Sequence, residues 1–428
     1  MTKEKLSVLW FRHGLRLHDN PSLHEAIATP NAKVLPMFIF DGQSAGTWLC
    51  GYNRFTYLLE ILHDLDQQFR SCGSKLHVFR YVIRHVICVP VMILKLFFRG
   101  DPVAVFTEIN HSHPIAKLCF EQDPEPIWKK RDDAVKGFCQ ANDIEFVEKL
   151  GHTLWDPHEV IKCNGGKPPL TFSEFNFIIS SMGSPARPLS EVDLSQVSFA
   201  RLEASRLTRL LDHMPTPEEC GCPREEEEVE HNKKYIGGES QALEHFAQRL
   251  SLELDAFKKN KFLPNRISPD ILCPPRSLSP DLKFGCLSIR KFYWGVMDAF
   301  EISRQGTSKP FNPQIVVQLL WREFFYTMCV DNIYYNEMER NEICINIPWY
   351  DAPDHMKAYS RGQTGYPLID AGVRQLLKEG WIHHIIRNAL ATFLTRGDLW
   401  INWEEGANFF LKYLLDGNEA IGHVIVAI

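Results

Sequence analysis

Short apolar segments typical of buried strands alternate with helical periodicity through the first 150 residues. Five segments fit strands: LSVLWF (6–11), VLPMFIF (34–40), KLHVF (75–79), AKLCFEQ (116–122) and IEFVEKL (144–150). Between them lie a helix that begins at Asp19 or Asn20, a helix at 51–69 with apolar residues three to four apart, and a charged helix at 128–141. This order predicts a parallel sheet with helices on both faces, so we assign residues 5–150 to an α/β domain.

The rest of the chain has a different pattern, which is helical from about residue 237 onward. The predicted helices share a high aromatic content: SQALEHFAQRLSLELDAF (240–257), IRKFYWGVMDAF (289–300), VVQLLWREFFYTM (316–328), PLIDAGVRQLLKEGW (367–381) and HHIIRNALATFL (383–394). We assign residues 237–416 to an all-α domain. Residues 151–236 are rich in Pro, Ser, Gly and charge, which favours an interdomain connector. Its acidic run REEEEVEH (224–231) is typical of a solvated surface.

The charge and cysteine content limit the classes of partner and the compartment. Asp plus Glu number 53 and Lys plus Arg 47, so the formal charge of −6 provides no dominant cationic field for DNA or an anionic membrane. The 12 cysteines lack a paired CxxC framework and zinc-ligand spacing, which indicates reduced thiols in the cytoplasm or nucleus. The first residues, MTKEKLSVLWFRHG, lack the apolar core of a secretory signal, and the first domain contains no GxGxxG or P-loop motif.

One segment of the first domain, YVIRHVICVPVMILKLFFR (81–99), is almost uninterruptedly apolar. Its longest uncharged stretch, between Arg84 and Lys95, is shorter than the ~20 residues that a membrane-spanning helix needs, and Pro90 lies in the middle. We therefore expect no membrane span and predict a poorly packed insertion instead.

Several motifs carry a resemblance to a known family. They are WFRHGLRLHDNPSL (10–23), LSPDLKFGCLSIRKFYW (278–294), WREFFYTM (321–328), RGQTGYPLIDAGVRQLL (361–377) and EGWIHHIIRNALATFLTRGDLWINWEEG (379–406). Together they resemble the photolyase/cryptochrome family, and the His13–Gly14 pair resembles its insect light-sensing cryptochromes. The resemblance implies a photolyase-type, Rossmann-like α/β domain followed by an all-α domain that binds FAD. It leaves open whether an antenna pigment occupies the first domain.

The resemblance also implies the residues of the FAD site. They are Ser277, Leu278, Ser279, Gln318, Trp321, His384, Arg387 and Asp416. The residue chemistry suits this role, because hydroxyls in a Pro-rich turn before a helix can hold phosphate and because Arg387 and Asp416 can pair beside the flavin ring. Spacing alone fits an ordinary serine N-cap, a packed tryptophan and a core histidine equally well.

A relay of tryptophans is the second implication of the resemblance. Trp321, Trp400 and Trp403 are expected to carry electrons to the flavin, with Trp400 and Trp403 on one helical face. An aromatic core stripe would show the same spacing, so only the resemblance favours the relay.

Two functional classes share this scaffold, and one position distinguishes them. The 6-4 repair enzymes resemble HHLARH where this chain reads HHIIRN, so His384 is present but Asn388 replaces a second histidine that would transfer protons. We therefore favour a circadian blue-light photoreceptor over a lyase that repairs pyrimidine lesions in DNA, and expect no enzymatic activity. By resemblance its partners are clock proteins such as Timeless and a ubiquitin-ligase adaptor, it works in cytoplasm and nucleus, and it binds DNA weakly if at all.

The chain departs from the family pattern near the expected flavin pocket. YIGGE (235–239) replaces a motif similar to WRGGE and lacks its arginine, which predicts weaker binding of the FAD phosphates. After FLKYLLD (410–416), residues 417–428 do not follow the family, so the residue expected opposite flavin N5 and a flavin-proximal tryptophan are missing. The fold is thus expected to be C-terminally truncated, and a light-insensitive fragment is a third functional interpretation.

Overall fold

The structure is a computed structural model of the 428-residue chain. It describes residues 4–42, 44, 47, 49–80, 101–203, 207–220, 222, 224, 234–263, 277–303, 313–420 and 422. The predicted insertion at 81–99 and most of the acidic run lie outside the described residues. Within the described part of the chain, no helix is both long and apolar enough to cross a membrane.

A five-stranded parallel sheet organises the first domain. Its strands are β1 (Lys5–Phe11), β2 (Ala32–Phe40), β3 (His77–Arg80), β4 (Ile115–Glu121) and β5 (Glu145–Lys149), in the spatial order β3-β2-β1-β4-β5. Its helices are α1 (Pro21–Ile27), α2 (Tyr52–Ser71), α3 (Pro102–Ser112) and α4 (Lys129–Ala141). All five predicted strands and the α/β fold class are confirmed.

Alternate side chains of β1 pack into two separate cores, one on each face of the sheet. Leu9 and Phe11 belong to the core that extends to the second domain, whereas Val8 and Trp10 pack into the core beneath α3 and α4. A parallel strand buried on both faces is continuously apolar, which explains the unbroken run LSVLWF.

The segment that follows residues 81–99 begins with a helix that the sequence analysis did not assign. Asp101 is the N-cap of α3 and accepts a hydrogen bond from the Val103 backbone N–H at 2.9 Å, while Pro102 occupies the first helical position. Asp followed by Pro occurs both at the start of helices and in turns. Here the apolar residues that follow form the buried face of a helix.

His77 shows how tightly the edge strand β3 is held. Its Nε2 accepts the backbone N–H of Leu202 at 3.1 Å, and its Nδ1 lies 3.3 Å from the carbonyl oxygen of Pro36. One neutral tautomer satisfies both bonds, and burial lowers the pKa of His77 from 6.5 to about 4.

The segment predicted as a surface connector is partly core. It contains α5 (Pro157–Cys163) and α6 (Phe172–Met182), both of which pack against a helix of the second domain. Phe175, Ile178 and Ile179 of α6 are buried. Their spacing of three and four was a readable helix signal within a composition that otherwise favours a loop.

The second domain is helical, as predicted. Its helices are α7 (Glu239–Lys258), α8 (Ser279–Phe284), α9 (Ile289–Ser303), α10 (Gln314–Cys329), α11 (Pro353–Ser360), α12 (Pro367–Glu379), α13 (His384–Thr392) and α14 (Trp403–Tyr413). A separate core lies among α11 to α14, whereas α7 to α10 share their core with the sheet.

A buried ion pair and a buried hydrogen bond from an arginine join the two domains. Asp19, in the opening motif of the first domain, accepts hydrogen bonds from Arg290 of α9 at 2.7 and 3.0 Å. The Arg16 guanidinium donates to the Gly285 carbonyl oxygen at 3.0 Å. If the domains moved apart, Asp19, Arg290 and Arg16 would each lose a partner for a buried charge, which costs free energy. These contacts therefore fix the position of α8 and α9 against the sheet.

Candidate flavin site

A buried ion pair between Arg387 and Asp416 forms the centre of the candidate site. Arg387 Nη1 and Nη2 donate to the two carboxylate oxygens at 2.9 and 3.0 Å, and the side chains are 10% and 7% exposed. A third bond, from Arg387 Nε to the Ile382 carbonyl oxygen at 2.9 Å, fixes the guanidinium plane. The pairing predicted for these two residues is therefore present, and its two-point geometry limits rotation of either group.

The predicted serine turn lies directly beside this pair. The Ser279 hydroxyl donates to Asp416 Oδ2, and the Ser277 and Ser279 hydroxyls are 2.8 Å apart. Leu278, which is buried, is the N-cap residue of α8, whose first residue is Ser279. The structure thus brings Ser277, Ser279, Arg387 and Asp416 together from three separate parts of the chain.

Tyr235 and Trp381 also line this cluster, although the sequence analysis did not select either as a site residue. Their ring centroids are 6.0 Å apart, and the Arg387 guanidinium carbon lies 5.8 Å from the centre of the Trp381 ring. Tyr235 Oη and Trp381 Nε1 are buried and have no hydrogen-bond partner among the described residues. Buried polar atoms are normally paired, so two orphans at one place fit a site that receives a polar cofactor.

The remaining predicted contacts, His384 and Gln318, lie on α13 and α10. His384 is the first residue of α13 and is half-buried, with its ring 4.6 Å from that of His383. Asn388, one turn further along α13, is exposed, and so is Gln318 on α10.

Trp321 belongs to a different aromatic cluster from the other predicted relay residues. It stacks on Phe172 of α6 at 4.0 Å with nearly parallel planes and also contacts Phe324 and Phe325. No ring contact of Trp321 with another tryptophan occurs within the described ranges. Its predicted roles at the flavin and in the relay remain predictions.

The expectation that Trp400 and Trp403 share a helical face is wrong. α14 begins at Trp403, and Trp400 lies before it in a turn with a φ of 51°. The turn places Trp400 at the surface, 40% exposed, whereas Trp403 is 3% exposed. Trp349, which the sequence analysis missed, lies 5.9 Å from the Trp400 ring and packs against the core that contains Trp403.

Across the described ranges, no group of three or more His, Cys, Asp or Glu side chains is arranged to hold a metal ion. The fold and the site together define a two-domain flavoprotein in which the helical domain, rather than the parallel sheet, holds the cofactor.

Comparison with known proteins supports this class. Residues 7–189 match the family model described as DNA photolyase, and residues 315–427 match the model described as FAD binding domain of DNA photolyase. The chain is 48% identical to Cryptochrome-1 of Anopheles gambiae over 97% of its own length and 75% of the relative's. It is 42% identical to Cryptochrome-1 of Drosophila melanogaster, covering 98% of this chain and 77% of that protein. The chain belongs to the photolyase/cryptochrome family.

Solved structures agree on the fold. A cryptochrome from Synechocystis superimposes with a TM-score of 0.76 at 22% identity, over 100% of this chain and 82% of that one. The resemblance to insect cryptochromes, the two-domain fold class and FAD as the cofactor of the helical domain are therefore confirmed. The chain covers about three quarters of the length of these two insect relatives.

Proposed function

We propose that this protein is an FAD-based blue-light photoreceptor that signals by light-dependent flavin reduction and partner binding. The observation that carries the proposal is the identity of 42–48% to insect proteins named Cryptochrome-1 over nearly the whole chain. The proposal extends to a circadian role, to clock partners such as Timeless and a ubiquitin-ligase adaptor, and to action in cytoplasm and nucleus.

The residues of the candidate site have distinct tasks in this function. When bound, FAD absorbs blue light and accepts an electron. Arg387 and Asp416 hold fixed, opposite charges at the cofactor, and the Ser277–Ser279 turn supplies hydroxyls beside them. Because the two charged groups are already paired and hydrogen-bonded, they need no reorganisation when charge on the cofactor changes.

The tryptophans of the helical domain offer a path for electrons from solvent. Trp400 is partly exposed and contacts Trp349, and Trp403 lies in the core against which Trp349 packs. We assign the outer part of the relay to Trp349 and Trp400 and the inner part to Trp403. Trp321, which the sequence analysis placed in the relay, stacks with phenylalanines in another cluster.

A DNA lyase is the second candidate function, and the retained His384 at the start of α13 favours it. The position one turn later carries Asn388, whose amide cannot donate a proton as a general acid near neutral pH. The formal charge of −6 also limits the contribution of phosphate contacts to DNA affinity. These two features support the photoreceptor over the lyase.

The decisive measurement is the absorbance spectrum of the purified protein with FAD, before and after blue light. We expect oxidised-flavin bands that bleach in light and recover in the dark, with no repair of a lesion-containing oligonucleotide. A matched Arg387→Met variant should lose the bound flavin. Repair of the oligonucleotide would establish the lyase instead, and wild-type protein that binds no FAD would leave only the light-insensitive interpretation.

A further inference from the structure

Tyr235 is a buried tyrosine whose hydroxyl has no hydrogen-bond partner among the residues that the structure describes. Its side chain is 5% exposed, and its ring faces Trp381 at 6.0 Å and His245 at 6.4 Å. A phenol that served only to fill space would be better replaced by phenylalanine, because burying an unpaired hydroxyl costs free energy.

The position of this hydroxyl points to the cofactor. The Arg387 guanidinium lies over the Trp381 ring that Tyr235 faces, and Asp416 and Arg387 are the charged groups with the largest effect on the pKa of Tyr235, so the phenol lies near the central ion pair. The Ser277 backbone N–H is also close enough to the phenol oxygen to lower its pKa, although the two groups do not reach hydrogen-bond geometry, which places Tyr235 beside the serine turn. Trp381 Nε1, the second orphan donor, belongs to the ring that Tyr235 faces.

The charges around Tyr235 select which part of a cofactor it meets. Burial is the main cause that raises the pKa of Tyr235, and the carboxylates of Asp416 and Asp281 raise it further. Arg387 and the Ser277 amide lower it. A pyrophosphate would add negative charge to a pocket that already has two carboxylates nearby. A neutral oxygen accepts a hydrogen bond from the phenol without that repulsion.

We propose that Tyr235 is a cofactor-binding residue that donates its O–H to an uncharged oxygen of the flavin half of FAD, a ring carbonyl or a ribityl hydroxyl. This inference rests on the FAD binding in the proposed function. It also gives position 235 a role in YIGGE, where the neighbouring Ile236 is 53% exposed and carries no charge for phosphate.

The test is the Tyr235→Phe variant, measured first without FAD. Removing an unpaired buried hydroxyl should raise the Tm of the apoprotein by about 2 °C. The same variant should bind FAD about fivefold more weakly in a titration, because one neutral hydrogen bond is lost. Opposite effects on apoprotein stability and on FAD affinity separate a ligand-binding hydroxyl from one that supports the fold.

Tyr359→Phe is the matched control. Tyr359 is fully buried, and its hydroxyl donates to the Leu390 carbonyl oxygen at 3.1 Å, so its loss should lower the Tm and leave FAD affinity unchanged. An apoprotein Tm that falls in Tyr235→Phe, or an unchanged FAD affinity, would overturn the proposal.

Phosphorus NMR of saturated protein locates the contact within FAD. The two phosphate resonances of bound FAD should be the same in wild type and Tyr235→Phe, while the absorption bands of the flavin ring shift. Phosphate resonances that move would assign Tyr235 to the pyrophosphate and refute the flavin-half contact. Wild-type protein that fails to bind FAD would refute the proposed function as a whole, an outcome distinct from a Tyr235-specific failure.

Discussion

Removing one member of the Arg387–Asp416 pair should destabilise the apoprotein far more than removing both. The pair has two bonds of 2.9 and 3.0 Å between side chains that are at most 10% exposed. In Arg387→Met, the Ser279 hydroxyl is the one side-chain donor that Asp416 keeps among the described residues, so a nearly bare carboxylate stays buried. We expect a loss of about 3–5 kcal/mol for the single variant and about 1 kcal/mol for Arg387→Met combined with Asp416→Leu.

Urea unfolding of the four proteins in this double-mutant cycle, followed by circular dichroism, measures the coupling between the two residues. The exposed pair Lys129–Asp133, 2.8 Å apart on α4, is the control and should show no measurable coupling. If the losses of unfolding free energy in the two single variants simply added up in the double variant, the prediction would be wrong. Additivity would mean that neither buried charge is stabilised by the other.

Three further predictions concern pH, the domain interface and the relay. The pKa of His77 is lowered from 6.5 to about 4, so stability present above pH 6.5 is lost as pH falls toward 4, by about 2 kcal/mol at pH 5 relative to pH 8. In urea unfolding His77→Gln should lose that part of the pH dependence; an unchanged slope would show that another group causes it. Gly285 has a φ of 71°, and a Cβ at this position would lie 2.5 Å from the Gly14 nitrogen of the first domain. Gly285→Ala should therefore lower the free energy of unfolding by about 2 kcal/mol. An unchanged free energy of unfolding would mean that the backbone at the domain contact can shift to make room for the methyl group. Trp403→Phe should slow light-driven flavin bleaching about tenfold at unchanged FAD content, which corresponds to ~1.4 kcal/mol on the barrier. Trp321→Phe should leave the bleaching rate unchanged. A larger effect of Trp321→Phe than of Trp403→Phe would show that Trp321 belongs to the relay.

The sequence analysis missed residues for identifiable reasons. Trp349 lies in an irregular segment, where no periodicity marks a buried ring, and its neighbour Trp400 is 51 positions away along the chain. Tyr235 was noted only as part of a motif that lacks an arginine. A signal for it existed, since a tyrosine occupies the place of a family tryptophan, but nothing in the sequence shows that its hydroxyl has no partner.

The sequence by itself determined the five strands of the sheet and the longer helices of both domains, because continuous apolar runs and three-to-four spacing are local properties of the chain. It also determined the family, through motifs long enough to be specific. Local sequence patterns failed where the same pattern fits two different backbone structures. Asp101 and the proline after it fit a turn or a helix start, and here Asp101 caps α3. Trp400 and Trp403 have helical spacing, but Trp400 has a positive φ and lies outside the helix. Only the tertiary structure decided that Asp416 binds both Arg387 and Ser279, that Trp321 and Trp403 belong to different cores, and that Tyr235 Oη has no partner among the described residues. The physical reason is that burial and hydrogen bonding depend on residues far apart in the chain, and their distances are set only when the helices pack together.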